Sequence, residues 1–420
     1  MRAAPDGRPP RAGTSVKYDR PAGSGTHGKR RHVDRLTSVE RALRAATPNA
    51  LLDVVTVALM EQYGASRVEL RMADYGMRSL QAVETVPFTT EPVLIHDSPQ
   101  GRAFGSQEPF VVDDPDGHAV TVHLPVTIRG DRLGVLSVTV PEDRHADALI
   151  PEMQHLCDVL GHEILVAERD TDLYVLARRA ARLTLAAEMQ WQLLPGRACT
   201  RPEFSLGGHL EPAYAIFGDN FDWSASADHL TLTVTNGMGA GIEAALLTNL
   251  AVNAMRNARR AGLGLADQAA LADQAVYAQY RGAAYVSVVL LRFDLATGDV
   301  EAVDAGSPRM WRMREGEVDA LPLEEQLPLG MFEDTTYTSE HFRVLPGDRL
   351  LIGSDGVYES VSPEAEKYGE RALARSLTAA RLLPPQQVPG AVLRELATYR
   401  GSTPLDDDAL VVCLDWYGRD

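Results

Sequence analysis

The stretch that decides the fold of this chain is LTLTVTNGMGAGIEAALLTNL, from Leu230 to Leu250. Its first six residues alternate between apolar and threonine side chains, and this period of two predicts a half-buried β-strand. Glycines at positions 237, 239 and 241 then interrupt the pattern, and an Ala- and Leu-rich segment with helical spacing follows. The stretch therefore predicts a strand, a tight glycine turn and a helix, with Asn236 at the tip of the turn.

The composition of the whole chain predicts a cytoplasmic protein of two or three domains. The chain has 420 residues, of which 45% are hydrophobic and 24% charged, as in globular proteins. No apolar run approaches the roughly 20 residues of a membrane span, and the N-terminus has no signal-peptide core. The three cysteines are far apart in the sequence. They therefore predict neither a metal cluster nor a disulfide framework.

The distribution of charge argues against a general nucleic-acid-binding protein. The formal net charge is −17, whereas nucleic-acid binding requires a basic surface. The first 35 residues are the exception, because they contain nine Lys or Arg, three Asp and many Pro and Gly. We expect residues 1–36 to form a disordered basic tail. Contact of this tail with an acidic partner or a membrane surface is the alternative.

Residues 37–168 predict an α+β domain, in which helical segments flank a set of strands. Two stretches carry a family resemblance: GRAFGSQEPFVVDD (Gly101–Asp114) and LPVTIRGDRLGVLSV (Leu124–Val138). The second contains a hairpin turn at Arg129-Gly130-Asp131. In order and spacing these residues resemble a GAF sensor domain. The resemblance implies a pocket for a small molecule or a scaffold for dimerisation, and no residue identifies the ligand.

Residues 169–199 predict a linker helix. A seam of positions recurs at alternating spacings of three and four, which make about three heptads of a coiled coil: Leu173, Leu176, Ala180, Leu183, Ala187, Gln190 and Leu194. Pro195-Gly196 ends the pattern. Two interpretations are open: a signalling helix in a homodimer, or an amphipathic helix packed on its own chain. We expect the homodimer.

The region 200–418 places acidic or amide side chains at the ends of predicted strands. If these ends meet at one sheet edge, the carboxylates repel one another unless cations neutralise them. Oxygen ligands without His or Cys favour Mg²⁺ or Mn²⁺, and two such ions can activate a water and clamp a phosphoryl group. The residues concerned are Asp219, Asp222, Asn236, Gly237, Asp355 and the run Asp406, Asp407 and Asp408.

From about residue 185 to residue 416 the motifs, in order, resemble the PPM-type metal-dependent serine/threonine phosphatases of the SpoIIE-like and RsbU-like branch. The motifs are EMQWQLLPG, FGDNFDW, VTNGMGAGIEAALLTN, LPGDRLLIGSDGVYES and DDDALVV. The resemblance implies a C-terminal four-layer α/β/β/α sandwich, joined through the helical linker to the N-terminal α+β domain. It also implies two Mn²⁺ or Mg²⁺ ions, with Asp219, Asn236, Gly237, Asp355 and Asp407 as ligands. Asp219 and Asp355 would act in catalysis through a metal-bound water. The implied substrate is phosphoserine or phosphothreonine on a regulatory protein, such as a STAS-type anti-sigma factor antagonist.

The sequence departs from this family pattern at Asn236, where the family has a bridging Asp. A carboxamide offers one neutral oxygen, and its NH₂ group cannot bind a metal. Ser307 also stands where the family often has His, and GDNFD has one glycine where the family usually has two. Three interpretations remain open: a phosphatase of weakened metal affinity, with Asp222 or a water filling the gap; a pseudophosphatase that binds its partner without turnover; and a dimeric sensor scaffold.

Overall fold

The structure, a computed structural model, describes residues 26–84, 89–114, 118–142, 146–212, 216–401 and 405–419. Most of the predicted basic tail lies outside these residues. Its last part is described, because helix α1 (Thr26–Ala45) begins within it. The predicted tail boundary at residue 36 is therefore wrong. Residues 29–36 contain no Pro or Gly that would end a helix extending backwards from residue 37.

The N-terminal domain is a six-stranded antiparallel sheet in the order β3-β2-β1-β6-β5-β4, with helices on both faces. One face packs against α1, α2 and α4, and the other packs against α3 through Phe104. The predicted α+β class is confirmed for this region, although Pro48 divides the helical pattern predicted before Gly64. The remaining elements are α2 (Leu51–Tyr63), β1 (Arg67–Ala73), β2 (Ser79–Ala82), β3 (Val93–Leu94), α3 (Pro99–Ser106), β4 (Phe110–Asp113), β5 (Ala119–Ile128), β6 (Asp131–Pro141) and α4 (Ala146–Ala167).

The predicted hairpin turn joins β5 to β6. Arg129 and Gly130 both have positive φ, at 50° and 89°. Two consecutive positive φ angles match the right-handed twist of the paired strands, and Gly130 adopts its angle without steric cost.

The linker does not form the predicted continuous helix over residues 169–199. It forms two short helices, α5 (Leu173–Ala177) and α6 (Leu185–Leu193), and the Thr184 side chain accepts a hydrogen bond from the Ala187 N–H at the start of α6. Ala187 of the predicted seam is buried, and Leu173, Leu183 and Leu194 are partly buried against their own chain. Packing against the two domains therefore overrides the local heptad pattern, and the predicted coiled coil is wrong for this structure.

The C-terminal region contains two antiparallel sheets that face each other across a shared apolar core. Their strand orders are β15-β12-β11-β10-β9 and β14-β13-β16-β17-β8-β7. Helices α7 and α8 pack on the outer face of the first sheet, and α9, α10 and α11 pack on that of the second. The elements are β7 (Ala198–Thr200), β8 (Phe204–Glu211), β9 (Asn220–Ala225), β10 (His229–Gly237), α7 (Gly241–Arg260), α8 (Leu265–Tyr280), β11 (Val286–Asp294), β12 (Asp299–Ala305), β13 (Arg309–Arg314), β14 (Glu317–Ala320), β15 (Glu340–Arg343), β16 (Arg349–Gly353), α9 (Asp355–Tyr358), α10 (Tyr368–Ala379), α11 (Val388–Arg400) and β17 (Ala409–Trp416).

The strand, glycine turn and helix predicted from the opening stretch are confirmed as β10, the turn at 238–240, and α7. The turn depends on a close approach of backbone segments. A Cβ atom at Gly237 would lie 2.3 Å from Oγ1 of Thr248, and that hydroxyl donates to the Gly218 carbonyl at 2.8 Å. A residue larger than glycine at position 237 would therefore push the segment of Gly218 and Asp219 away from the end of β10.

Asp222 connects strand β9 to helix α7 and takes no part in the acidic cluster. Its Oδ1 accepts from Nη2 of Arg256 at 2.7 Å, and its Oδ2 accepts from Nη1 of Arg259 at 2.8 Å. Asp222 is buried, and the side chains of the two arginines are mostly buried. The interpretation in which Asp222 fills a gap in the metal site is therefore wrong. The next arginine of α7, Arg260, is exposed.

We expect Asp222→Asn to lower the free energy of unfolding by about 3 kcal/mol, because it leaves two arginines beside one uncharged amide. Urea denaturation of wild type and variant measures this loss. Arg260→Gln on the exposed face of α7 is the matched control, with an expected change within about 0.5 kcal/mol. Unchanged stability together with loss of Mn²⁺ binding would instead make Asp222 a metal ligand.

Candidate metal centre

The four acidic or amide positions predicted from the sequence lie at the ends of core strands. Asp219 precedes β9, Asn236 is the penultimate residue of β10, Asp355 is the first residue of α9 after β16, and Asp407 precedes β17. Gly237 is buried at the end of β10. Asp355 and Asp407 line one open cavity of about 250 Å³. The fold thus brings together side chains that are up to 188 residues apart in the sequence.

Asp219 is the most deeply placed of these groups. It is 0% exposed, and neither of its carboxylate oxygens has a hydrogen-bond partner among the described residues. Burial raises its pKa well above the ordinary value, and the negative charges of Asp408, Asp355 and Asp407 raise it further. A buried carboxylate without a donor is costly. A bound cation would remove that cost.

Asn236 makes a direct contact with Asp355. Its Nδ2 donates to Oδ1 of Asp355 at 2.5 Å and to Oγ of Ser307 at 3.3 Å. Burial raises the pKa of Asp355, and hydrogen bonds from the Gly356 N–H and from Asn236 oppose the rise. The amide of Asn236 therefore supplies a hydrogen bond to Asp355.

The three consecutive aspartates before β17 have different environments. Asp408 is fully buried, and its Oδ2 accepts from Nε2 of Gln190 at 2.8 Å and from the Phe217 N–H at 3.0 Å. Asp407 lines the cavity with Asp355. Burial and the charge of Asp355 raise the pKa of Asp407 to about 7. Asp407 thus belongs to the acidic cluster, whereas Asp408 holds Gln190 and the Phe217 backbone in place by hydrogen bonds.

Gln190 is a residue of this site that the sequence analysis did not single out. Its Nε2 also donates to the Asp219 carbonyl at 3.2 Å, so one amide holds the segments of Asp219 and Asp408 together. The adjacent Trp191 stacks on Tyr75 of the N-terminal domain, with ring centroids 4.9 Å apart. In the sequence, Gln190 appeared only as a position of the predicted heptad seam and within EMQWQLLPG, a segment that leads into the domain.

The oxygen atoms of Asp219, Asp355 and Asp407 suit a hard cation, although these side chains do not enclose a metal-sized site. Among the residues that the structure describes, no three Asp, Glu, His or Cys side chains are arranged to hold a metal ion. The carboxylate of Asp219, unpartnered among the described residues, and the raised pKa values of Asp355 and Asp407 are those of carboxylates that a bound cation would stabilise. Carboxylate and carbonyl oxygens are the ligands that Mg²⁺ and Mn²⁺ prefer.

Comparison with known proteins gives related domains. The family model described as Stage II sporulation protein E (SpoIIE) matches residues 226–417. Phosphoserine phosphatase RsbU of Bacillus subtilis (strain 168) is 20% identical over 245 residues, which are 58% of this chain and 71% of that protein.

Two solved structures, with sequence identities close to that of RsbU, are also similar to this chain. The SiaA-PP2C domain of Pseudomonas aeruginosa is 22% identical, with a TM-score of 0.47, over 56% of this chain and 94% of that one. The RsbU and RsbW domains of a Mycobacterium tuberculosis protein are 20% identical, with a TM-score of 0.46, over 52% of this chain. The match spans 61% of the M. tuberculosis chain.

No helix among the described residues is long and apolar enough to cross a membrane. The family match ends one residue after β17, and the two sheets extend upstream of it to β7 at Ala198. Residues 226–417 of this chain are thus similar to the SpoIIE family of domains.

Proposed function

We propose that this chain is a metal-dependent protein serine/threonine phosphatase of bacterial signalling. Its substrate would be phosphoserine or phosphothreonine on a regulatory protein, such as a STAS-type anti-sigma factor antagonist. The observation that carries the proposal is the buried Asp219 carboxylate, which lacks a hydrogen-bond partner among the described residues and feels the charges of Asp355 and Asp407. The similarity to RsbU, named a phosphoserine phosphatase, supports this reaction class.

The proposed ligands for two Mn²⁺ or Mg²⁺ ions are the side chains of Asp219, Asn236, Asp355 and Asp407 and the Gly237 carbonyl. A bound ion would act as a Lewis acid on the phosphoryl group and lower the pKa of a water nucleophile. Asp219 and Asp355 would hold the cations through their negative charge, and the cations would in turn attract the phosphoryl oxygens. Asn236 contributes one neutral oxygen in place of a bridging carboxylate, and we therefore expect weak binding of at least one ion.

A second candidate is a pseudophosphatase, which binds its partner without turnover. The observation that favours it is the hydrogen bond from Nδ2 of Asn236 to Oδ1 of Asp355. To bind a cation with that oxygen, Asp355 must give up this donor. The amide thus competes with the metal for one of the few carboxylates in the site.

We also propose that residues 37–168 form a GAF-like sensor that regulates the phosphatase domain of residues 200–418. Helix α6 is the element placed to connect them, because its Trp191 contacts Tyr75 while its Gln190 contacts the Asp219 segment. The sensor would bind a small molecule whose identity the residues do not give, and the chain would act as a cytoplasmic homodimer.

The turnover test compares wild type, Asn236→Asp and Asp355→Ala across a Mn²⁺ titration. Hydrolysis of p-nitrophenyl phosphate and of a phosphoserine peptide is measured for each. We expect weak wild-type turnover at millimolar Mn²⁺, a gain of at least about tenfold in Asn236→Asp, and none in Asp355→Ala. A tenfold gain corresponds to about 1.4 kcal/mol.

The turnover test also separates the two candidates. Silence in wild type with activity in Asn236→Asp would establish the pseudophosphatase, and silence in both would reject the phosphatase proposal. Activity that persists in Asp355→Ala would mean that the reaction takes place elsewhere.

We expect Gln190→Ala to raise the Mn²⁺ concentration for half-maximal activity by about tenfold, measured in whichever of wild type and Asn236→Asp turns over. The change removes the donor shared by Asp219 and Asp408, and one hydrogen bond to a charged group contributes about 1.5–3 kcal/mol. Gln192→Ala on the exposed side of the same helix is the control, with no expected change. An equal response of both variants would contradict a positioning role for Gln190.

A further inference from the structure

A second and larger cavity lies between the N-terminal and C-terminal domains, apart from the acidic cluster. Its volume is about 1230 Å³. The N-terminal domain contributes the segment before α3, α3 itself and the β5–β6 turn, and the C-terminal domain contributes β8 and α11. Any molecule in this cavity would therefore contact both domains at once.

The lining of this interdomain cavity is basic, although the chain as a whole has a net charge of −17. Three acidic residues line it: Asp97, Asp131 and Glu211. Six arginines line it: Arg78, Arg102, Arg132, Arg197, Arg394 and Arg400. With neutral histidines the lining carries three excess positive charges, six minus three. Such an excess attracts anions from solution.

Four of these arginines form no ion pair among the described residues: Arg102, Arg132, Arg197 and Arg394. Nη2 of Arg132 donates only to the carbonyl of Gln386 at 2.9 Å. Arg197 is 8% exposed, and its Nη1 has no hydrogen-bond partner among the described residues. Burial lowers the pKa of Arg197 to about 10, and the nearby charge of Arg178 contributes. The guanidinium groups of Arg132, Arg197 and Arg394 therefore lie at the cavity without a direct ion pair among the described residues, although Asp131 and Glu395 act on them from beyond ion-pair distance.

The imidazole of His209 reports the same excess of positive charge. Burial lowers its pKa to about 3, and the charges of Arg197, Arg132, Arg78 and Arg394 all act in the same direction. Glu211 is the nearest carboxylate partner and also pairs with Arg78. Four guanidinium groups from both domains thus surround one neutral ring.

We propose that this interdomain cavity binds a small-molecule polyanion, held by Arg132, Arg197 and Arg394. Guanidinium groups bind phosphate and carboxylate oxygens in a bidentate geometry. The apolar wall, formed by Ile95, Phe104 and Leu393 among others, would accommodate an uncharged part of the same molecule. Because the arginines come from both domains, the bound anion fixes their relative position. This inference does not depend on phosphatase activity.

The test is calorimetric titration of inorganic tripolyphosphate and of citrate into the full chain, in buffer freed of metal ions by a chelating resin so that no metal recruits the anion. We expect saturable binding of one anion per chain by at least one of these probes. Arg394→Gln and Arg132→Gln should each weaken it by about tenfold, the loss expected for one charge-assisted hydrogen bond. Arg375→Gln is the matched control, because Arg375 is exposed on α10 and lies outside the cavity. We expect it to change the dissociation constant by less than about twofold.

The thermal unfolding midpoint of each variant shows whether that variant is folded. The anion should raise this midpoint more in wild type than in Arg394→Gln. Arg394 is exposed, and its side chain forms no hydrogen bond or ion pair among the described residues, so this variant stays informative if Arg132→Gln unfolds. Absence of saturable binding, or an equal loss in Arg375→Gln, would overturn the proposal. Binding only to phosphatidylserine vesicles would also overturn it, in favour of a membrane surface.

Discussion

The stability of the acidic end of the two C-terminal sheets depends on how the negative charge buried there is compensated. Asp219 is fully buried without a donor to its carboxylate among the described residues, and Asp355 and Asp407 add their charges to the same region. In water these groups would be solvated, whereas in the protein they must share protons, hydrogen bonds or cations. Asn236 supplies one such hydrogen bond to Asp355. It stabilises the site without a metal and weakens the ligand set for one.

The fold was predictable from the sequence where local pattern and tertiary packing agree. The alternation in β10 and the glycines after it give the strand, turn and helix, because Gly237 must lie against Gly218 and Thr248. The linker was not predictable in this way. Its heptad spacing describes one helix, but Trp191 packs on Tyr75 and Gln190 packs on the acidic segments, so tertiary contacts shorten the helix.

The candidate site was predictable as a set of strand ends but not as a set of contacts. The motifs identify Asp219, Asn236 and Asp355, since each follows or precedes an apolar strand. They do not show that Asp222 pairs with two arginines of α7, because that contact joins residues 34 and 37 positions apart. Nor do they distinguish Asp407 from Asp408, whose adjacent side chains differ only in what surrounds them.

The central claim is that the amide at position 236 sets the metal affinity of this site. The most direct measurement is calorimetric titration of Mn²⁺ into wild type and Asn236→Asp, which counts bound ions without requiring turnover. The account predicts two ions per chain in Asn236→Asp, and in wild type at least one ion bound more weakly by about tenfold, or about 1.4 kcal/mol. Identical stoichiometry and affinity in the two proteins would contradict it.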